Sequence, residues 1–331
     1  MFRTGSLILL SIVAISCRMA TAQSVGTDAI FSEAPKQLAK DGAGEGPAWH
    51  PDLGLLTSGN GHVMRRDTVG KQSVFLRDAG SNGLLFEKQG RLLMCQPKYR
   101  RVARREADGT LKVLAESYNG KKFNSPNDVT VDSKGRVYFS DPKYGPRTGL
   151  EQRDTNDRPI EGIYRIDADG KVTRIVTHEV DRPNGLLVTA DDRYMFVADN
   201  NNNTAVGARK LYRFDLRSDG TLQHGSRKLI YDWGSTRGPD GMCLDVKGRL
   251  YVAAGLNRTD RTHEFQFRPT AGIYVFSPEG RPLTFAPIPK DEVTNCAFGG
   301  KDLQTLFVTA GGTLWSIRTT APGHPVWPQA E

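Results

Sequence analysis

Three features of the chain predict an all-β fold, a six-bladed β-propeller of four-stranded antiparallel blades around a central tunnel. Strand–turn–strand doublets recur six times, starting at Glu45, Asn82, Asn127, Asn184, Asp240 and Asn295 with spacings of 37, 45, 57, 56 and 55 residues. A repeat of this length signals a propeller or a solenoid. Two more strand-like runs follow most doublets, which gives four strands per unit. No stretch after residue 22 carries helical periodicity, and 35 glycines suit a chain with many tight turns.

The chain opens with a presequence. Arg3 gives a positive start, residues 7–15 form a short apolar core, and Ala20-Thr21-Ala22 is a small-x-small cleavage signal before Gln23. Residues 1–22 are expected to be a secretory signal peptide, too short to span a membrane and stay there. Residues 23–331 then form a single propeller domain in a periplasmic or secreted protein. Cys17 offers a lipoprotein alternative, but the residue three before it is Ala14 rather than a larger aliphatic.

The first unit begins at Glu45 and the second at Asn82. In the second, the basic run over residues 98–105 alternates with Tyr99 and Val102 like a solvated outer strand. The third unit pairs Asp128-Val-Thr-Val-Asp132 with Arg136-Val-Tyr-Phe139, then continues as Gly162-Ile-Tyr-Arg-Ile-Asp167 and Lys171-Val-Thr-Arg-Ile-Val176 across an Asp-Gly turn. The fourth runs Leu186-Leu-Val188, Arg193-Tyr-Met-Phe-Val197, Lys210-Leu-Tyr-Arg-Phe-Asp215 and Arg227-Lys-Leu-Ile-Tyr231. The fifth runs Met242-Cys-Leu-Asp245, Arg249-Leu-Tyr-Val252, Gly272-Ile-Tyr-Val-Phe276 and Arg281-Pro-Leu-Thr-Phe285. The last unit, residues 294–318, shows only three strands, and residues 34–39 are expected to supply its fourth and close the ring. Insertions at 144–159, 200–209 and 256–270 all follow inner doublets, so they should rise on one face and rim a pocket.

Bulk numbers narrow the function. Of 331 residues, 38% are hydrophobic and 25% charged, a globular balance. The net charge of +8 falls to +6 once the presequence is removed, mild for this size and no footprint for nucleic acid. No membrane span is expected in the mature chain, and a ring with covered edges suits a monomer. Cys95, Cys243 and Cys296 lie inside strand patterns, where buried packing is the simple expectation; their odd count and unpaired spacing fit neither a disulfide framework nor a zinc site, and leave a single disulfide among them open. There is no Gly-x-Ser-x-Gly elbow, P-loop or dinucleotide fingerprint. The six histidines make no zinc spacing.

What remains is a repeated oxygen. Pro126-Asn127-Asp128, Pro183-Asn184-Gly185 and Pro239-Asp240-Gly241 each place an oxygen-bearing side chain just before an apolar run. Alone, any one of these is a turn former. In register around an axis they converge, and converging neutral and anionic oxygens suit a hard cation.

The motifs Glu45-Gly-Pro-Ala-Trp49, Asn124-Ser-Pro-Asn-Asp-Val129, Tyr138-Phe-Ser-Asp-Pro-Lys-Tyr-Gly145, Arg182-Pro-Asn-Gly-Leu186, Gly238-Pro-Asp-Gly-Met-Cys243 and Thr294-Asn-Cys-Ala-Phe-Gly-Gly300 stand in order at blade spacing. Together they resemble the senescence-marker-protein/gluconolactonase/luciferin-regenerating-enzyme family, of the bacterial gluconolactonase type, over the whole mature chain. The resemblance implies a six-bladed propeller with one divalent cation at the tunnel mouth, commonly calcium, and hydrolysis of sugar lactones. It maps the cation ligands to Glu45, Asn127, Asn184 and Asp240, two carboxylates and two amides that leave one bound dication formally neutral. Oxygen ligands also admit magnesium or manganese, and zinc is a further alternative. The mammalian members carry an arginine two residues before the blade-three asparagine. Here that position is Ser125, so their substrate preference does not transfer.

The chemistry expected from that site is metal-dependent lactone opening. The cation would polarise the lactone carbonyl for attack by water. Asp240 and Asp128 are the candidate proton-transfer groups. A carboxylate bound to the metal is a weak base because the cation lowers its pKa, which counts against Asp240. Asn127, Asn82, Asn295, Asp141 and Tyr144 are candidate substrate-binding groups. Two alternatives use the same fold: a phosphotriester hydrolase on the same cation, and a non-catalytic binding propeller cemented by calcium.

Overall fold

The computed structural model describes residues 29–259 and 262–324. The expected signal peptide over residues 1–22, the expected cleavage site and Cys17 lie outside those residues. The described chain contains six four-stranded antiparallel sheets. From the inner strand outward, blade 1 is Glu45–His50, Gly54–Gly59, His62–Arg66 and Gln72–Leu76. Blade 2 is Leu84–Phe86, Leu92–Gln96, Arg101–Arg105 and Leu111–Ala115. Blade 3 is Val129–Val131, Val137–Asp141, Gly162–Ile166 and Val172–Val176. Blade 4 is Pro183–Val188, Tyr194–Asn200, Arg209–Asp215 and Lys228–Asp232. Blade 5 is Pro239–Leu244, Leu250–Ala254, Gly272–Phe276 and Pro282–Pro287. Blade 6 is Val293–Gly299, Thr305–Ala310, Thr313–Arg318 and Lys36–Ala39.

The ring closes as expected. Lys36 pairs with Ser316, Gln37 with Trp315 and Ala39 with Leu314, so the first strand completes the last blade. The Thr294 hydroxyl then donates to the Gly44 carbonyl at 2.7 Å, joining blade 6 to blade 1.

Each blade is covered on both faces, which explains why its strands read as nearly continuous apolar runs. The six hydrophobic clusters sit between neighbouring blades rather than within them. One cluster packs Leu93, Cys95 and Val102 of blade 2 against Val129, Phe139 and Tyr164 of blade 3. Another packs Tyr251 and Ile273 of blade 5 against Cys296, Leu306 and Ile317 of blade 6. Fully burying one such side chain is worth about 1.5–3 kcal/mol, so the ring is held chiefly at blade interfaces.

Turn chemistry repeats as well. In Asp132-Ser-Lys-Gly-Arg-Val-Tyr138 the aspartate accepts from the amides of Lys134 and Arg136, the Arg136 guanidinium and the Tyr138 hydroxyl. In Asp245-Val-Lys-Gly-Arg-Leu-Tyr251 it accepts from the equivalent four groups. One buried carboxylate thus fixes the hairpin that joins inner and second strands.

The basic run of blade 2 differs from expectation. Pro97–Tyr99 is a 3₁₀ turn and Arg101–Arg105 is the third strand, with Leu111–Ala115 outside it. Val102 and Ala103 are buried, Arg104 pairs with Glu106, and Arg105 lies over the Phe75 ring. Alternation alone could not separate a third strand from a fourth, because both carry one polar side.

Candidate active site at the tunnel mouth

The site is assembled by the starts of the inner strands. Glu45 is the first residue of its strand, while Asn184 and Asp240 are the second of theirs. Asn127 lies two residues before Val129, the first residue of the blade 3 inner strand. Glycines let these starts approach. A Cβ on Gly46 would collide with the Asn82 carbonyl, one on Gly83 with the Asn127 carbonyl, and one on Gly185 with the Asp240 carbonyl. Gly241 likewise leaves room for the Asn295 amide. Blade 3 places Asp128 where its neighbours place glycine, so a carboxyl is added to the ring.

The electrostatics show that the acids converge. Burial pushes the Asp128 and Asp240 carboxyls up to about 7. Glu45 is held well above the usual carboxylate range by burial, then by the charges of Asp240 and Asp128. Arg237 is the counter-charge that both Glu45 and Asp240 feel.

Hydrogen bonds fix individual atoms. The Asn184 amide nitrogen donates to the Tyr144 hydroxyl at 2.8 Å, which assigns its carbonyl oxygen as the free acceptor. Tyr144 in turn donates to the Asn200 carbonyl at 3.3 Å. The Asn295 carbonyl oxygen accepts from the Cys296 amide at 2.8 Å, and its side chain also hydrogen-bonds Asp128. Blades 3 and 6 stand opposite in the ring, so this pair bridges the axis. Asn82 keeps a buried side-chain oxygen with no hydrogen-bond partner among the described residues. Asp141 is fully buried, and its two oxygens accept from the Asn124 and Ser125 amides at 2.8 and 2.7 Å. Asp199 does the same for Asp181 and Arg182 in the next blade. Asp141 therefore braces the loop that delivers Asn127.

Two cationic braces were not singled out by the sequence. Arg237 is buried and reaches Asp240 at 3.5 Å, Glu264 at 3.5 Å and Glu292 at 2.9 Å. Arg182 is buried, pairs with Glu161 at 2.9 Å and lies 5.3 Å from the Tyr144 ring centroid. Glu161 also accepts from the Lys143 amide and pairs with Arg147, which anchors the loop carrying Tyr144. The available signal was position: Arg182 stands two residues before Asn184 and Arg237 three before Asp240.

The donor set is all oxygen. Among the described residues no group of three or more His, Cys, Asp and Glu side chains forms a metal site, so a cation here would depend on amide oxygens beside Glu45 and Asp240. Raised carboxyls and an oriented Asn184 oxygen fit a hard divalent ion. Cavities of about 370 and 480 Å³ flank blades 3 and 4, and none of the predicted site residues lines either.

The motifs that build this mouth run from Glu45 to Asn295. A family model described as the SMP-30/gluconolactonase/LRE-like region matches residues 43–312, which contains that span. The chain belongs to this family. Among SMP-30/gluconolactonase/LRE-like proteins, it is 29% identical to the gluconolactonase of Zymomonas mobilis over 307 residues, which covers 90% of this chain and 77% of that one. It is 30% identical to the pentonolactonase of Haloferax volcanii over 279 residues, 81% of each chain. The solved structure of a gluconolactonase from Xanthomonas campestris superposes with a TM-score of 0.70 at 28% identity, covering 88% of this chain and 91% of that one. Among the described residues no helix is long and apolar enough to cross a membrane.

Proposed function

We propose that this protein is a divalent-cation-dependent lactonase acting on sugar lactones. The observation that carries the reading is the convergence of Glu45, Asp128 and Asp240, with the oriented Asn184 oxygen near them, at the mouth of a propeller whose relatives are named for opening lactones. Glu45, Asn127, Asn184 and Asp240 would hold the cation, and calcium suits an oxygen-only set. When bound, the cation supplies Lewis acidity toward the lactone carbonyl.

The remaining steps belong to side chains. Asp240 is tied to Arg237, which favours its charged form and suits a ligand. Asp128 is buried next to Asn127 and hydrogen-bonded by Asn295, which places it as the general base. It takes a proton from the attacking water. Asn295 holds Asp128 from across the axis. The unpartnered Asn82 oxygen accepts from a sugar hydroxyl. Tyr144 keeps the Asn184 oxygen turned toward the cation.

The protein is taken to be exported as a monomer, the first on its presequence. Amino-terminal sequencing of secreted material should start at Gln23. The activity test is acid release from glucono-1,5-lactone by the mature chain, above the spontaneous rate, with and without chelator. Chelator-sensitive turnover supports the reading. Absence of turnover on six- and five-membered sugar lactones, with cation binding intact, would overturn it.

A further inference from the structure

Cys243 and Cys296 sit on the inner strands of blades 5 and 6, 53 residues apart, with their sulfurs 3.5 Å from each other. That is the contact distance of two unbonded sulfurs. Cys296 belongs to the buried hydrophobic cluster between blades 5 and 6, and Cys243 packs against that cluster. Cys95 is elsewhere, with its thiol against the Asp128 carbonyl.

We propose that Cys243 and Cys296 are joined as a disulfide when the protein folds in an oxidising compartment, stapling blade 5 to blade 6 beneath the tunnel mouth. The step is thiol–disulfide exchange with a low-molecular-weight or enzyme disulfide. One cysteine thiolate attacks the donor disulfide and releases one donor thiol. The second cysteine then attacks that mixed disulfide and releases the other. Two protein thiols are oxidised, the donor disulfide is reduced to two thiols, and the protons pass with them. Half-buried Cys243 is the entry point, because Cys296 is sealed from solvent. Burial pushes the Cys243 thiol up, so exchange is slow once the ring is closed and the bond forms during folding. The inference is independent of the lactone reading.

The test is a thiol count on the mature chain. Reduced, unfolded protein is refolded in a buffer of reduced and oxidised glutathione, then alkylated under denaturing conditions and mapped as peptides. The reduced chain exposes three thiols, at Cys95, Cys243 and Cys296. The expected product exposes one, Cys95, with a single cross-linked peptide containing Cys243 and Cys296. Its melting temperature should exceed that of the reduced form by several degrees. The Cys243→Ser chain should expose both remaining thiols and show no such difference. Three free thiols after refolding, or a bond that includes Cys95, would overturn the proposal.

Discussion

Asn184 shows how a neighbour commits one atom of a side chain to a task. An amide presents a donor and an acceptor of nearly equal size, and only its partners decide which faces the pocket. Tyr144 takes the donor. Tyr144→Phe should leave the fold intact but let the amide turn, and calorimetric cation affinity should fall by about 10–100-fold, the usual effect of losing an outer-shell partner. The two aspartates should separate by readout. Asp240→Asn should abolish the cation-induced rise in melting temperature together with turnover. Asp128→Asn should keep that rise and lose turnover by about 10²–10⁴-fold, the scale of general acid–base catalysis. If both variants lose the rise, Asp128 is a ligand and not a base.

At the level of strands, the site depends on what the glycines lack. A methyl group on Gly185 would enter the space of the Asp240 carbonyl, which is backbone and has no flexible end to move aside. Gly185→Ala should therefore cost about 1–3 kcal/mol in denaturant titration, the range for overpacking, and should weaken cation binding by pushing Asp240 outward. This is also where the limits of the sequence show. Asn127, Asn184 and Asp240 were legible as residues at or just before inner-strand starts, because each follows proline and precedes an apolar run. Asp141 stood among the candidate substrate-binding groups. Its oxygens are instead engaged by the Asn124 and Ser125 amides, and a bracing aspartate is spelled like a binding one. Arg237 went unremarked although Asp240 lies three residues on, because its other partners, Glu264 and Glu292, come from separate segments. Contacts between distant segments leave no local spacing to read.

For the molecule as a whole, the crowded mouth links stability to pH. Asp128 and Asp240 titrate near 7 in the folded chain, against about 3.9 for an unfolded aspartate. The folded state therefore binds more protons between those values, and the stability these groups contribute is lost as pH rises from about 4 to about 7. A divalent cation competes with those protons. Without cation, the melting temperature should fall across that window. With saturating calcium, the increment should be larger at pH 8 than at pH 5, read by calorimetry at both values. An equal increment at both would mean that the cation binds away from these carboxyls.

The pairing of Lys36–Ala39 with Thr313–Arg318 carries a consequence in time. A ribosome delivers the inner strands in order, and five blades can assemble as they emerge. The sixth cannot. Its outer strand is among the first segments made, and it must wait unpaired for the last. Loop closure over nearly the whole chain is the slowest kind of contact to form. Until that moment an open sheet edge faces other molecules, and such edges are templates for aggregation.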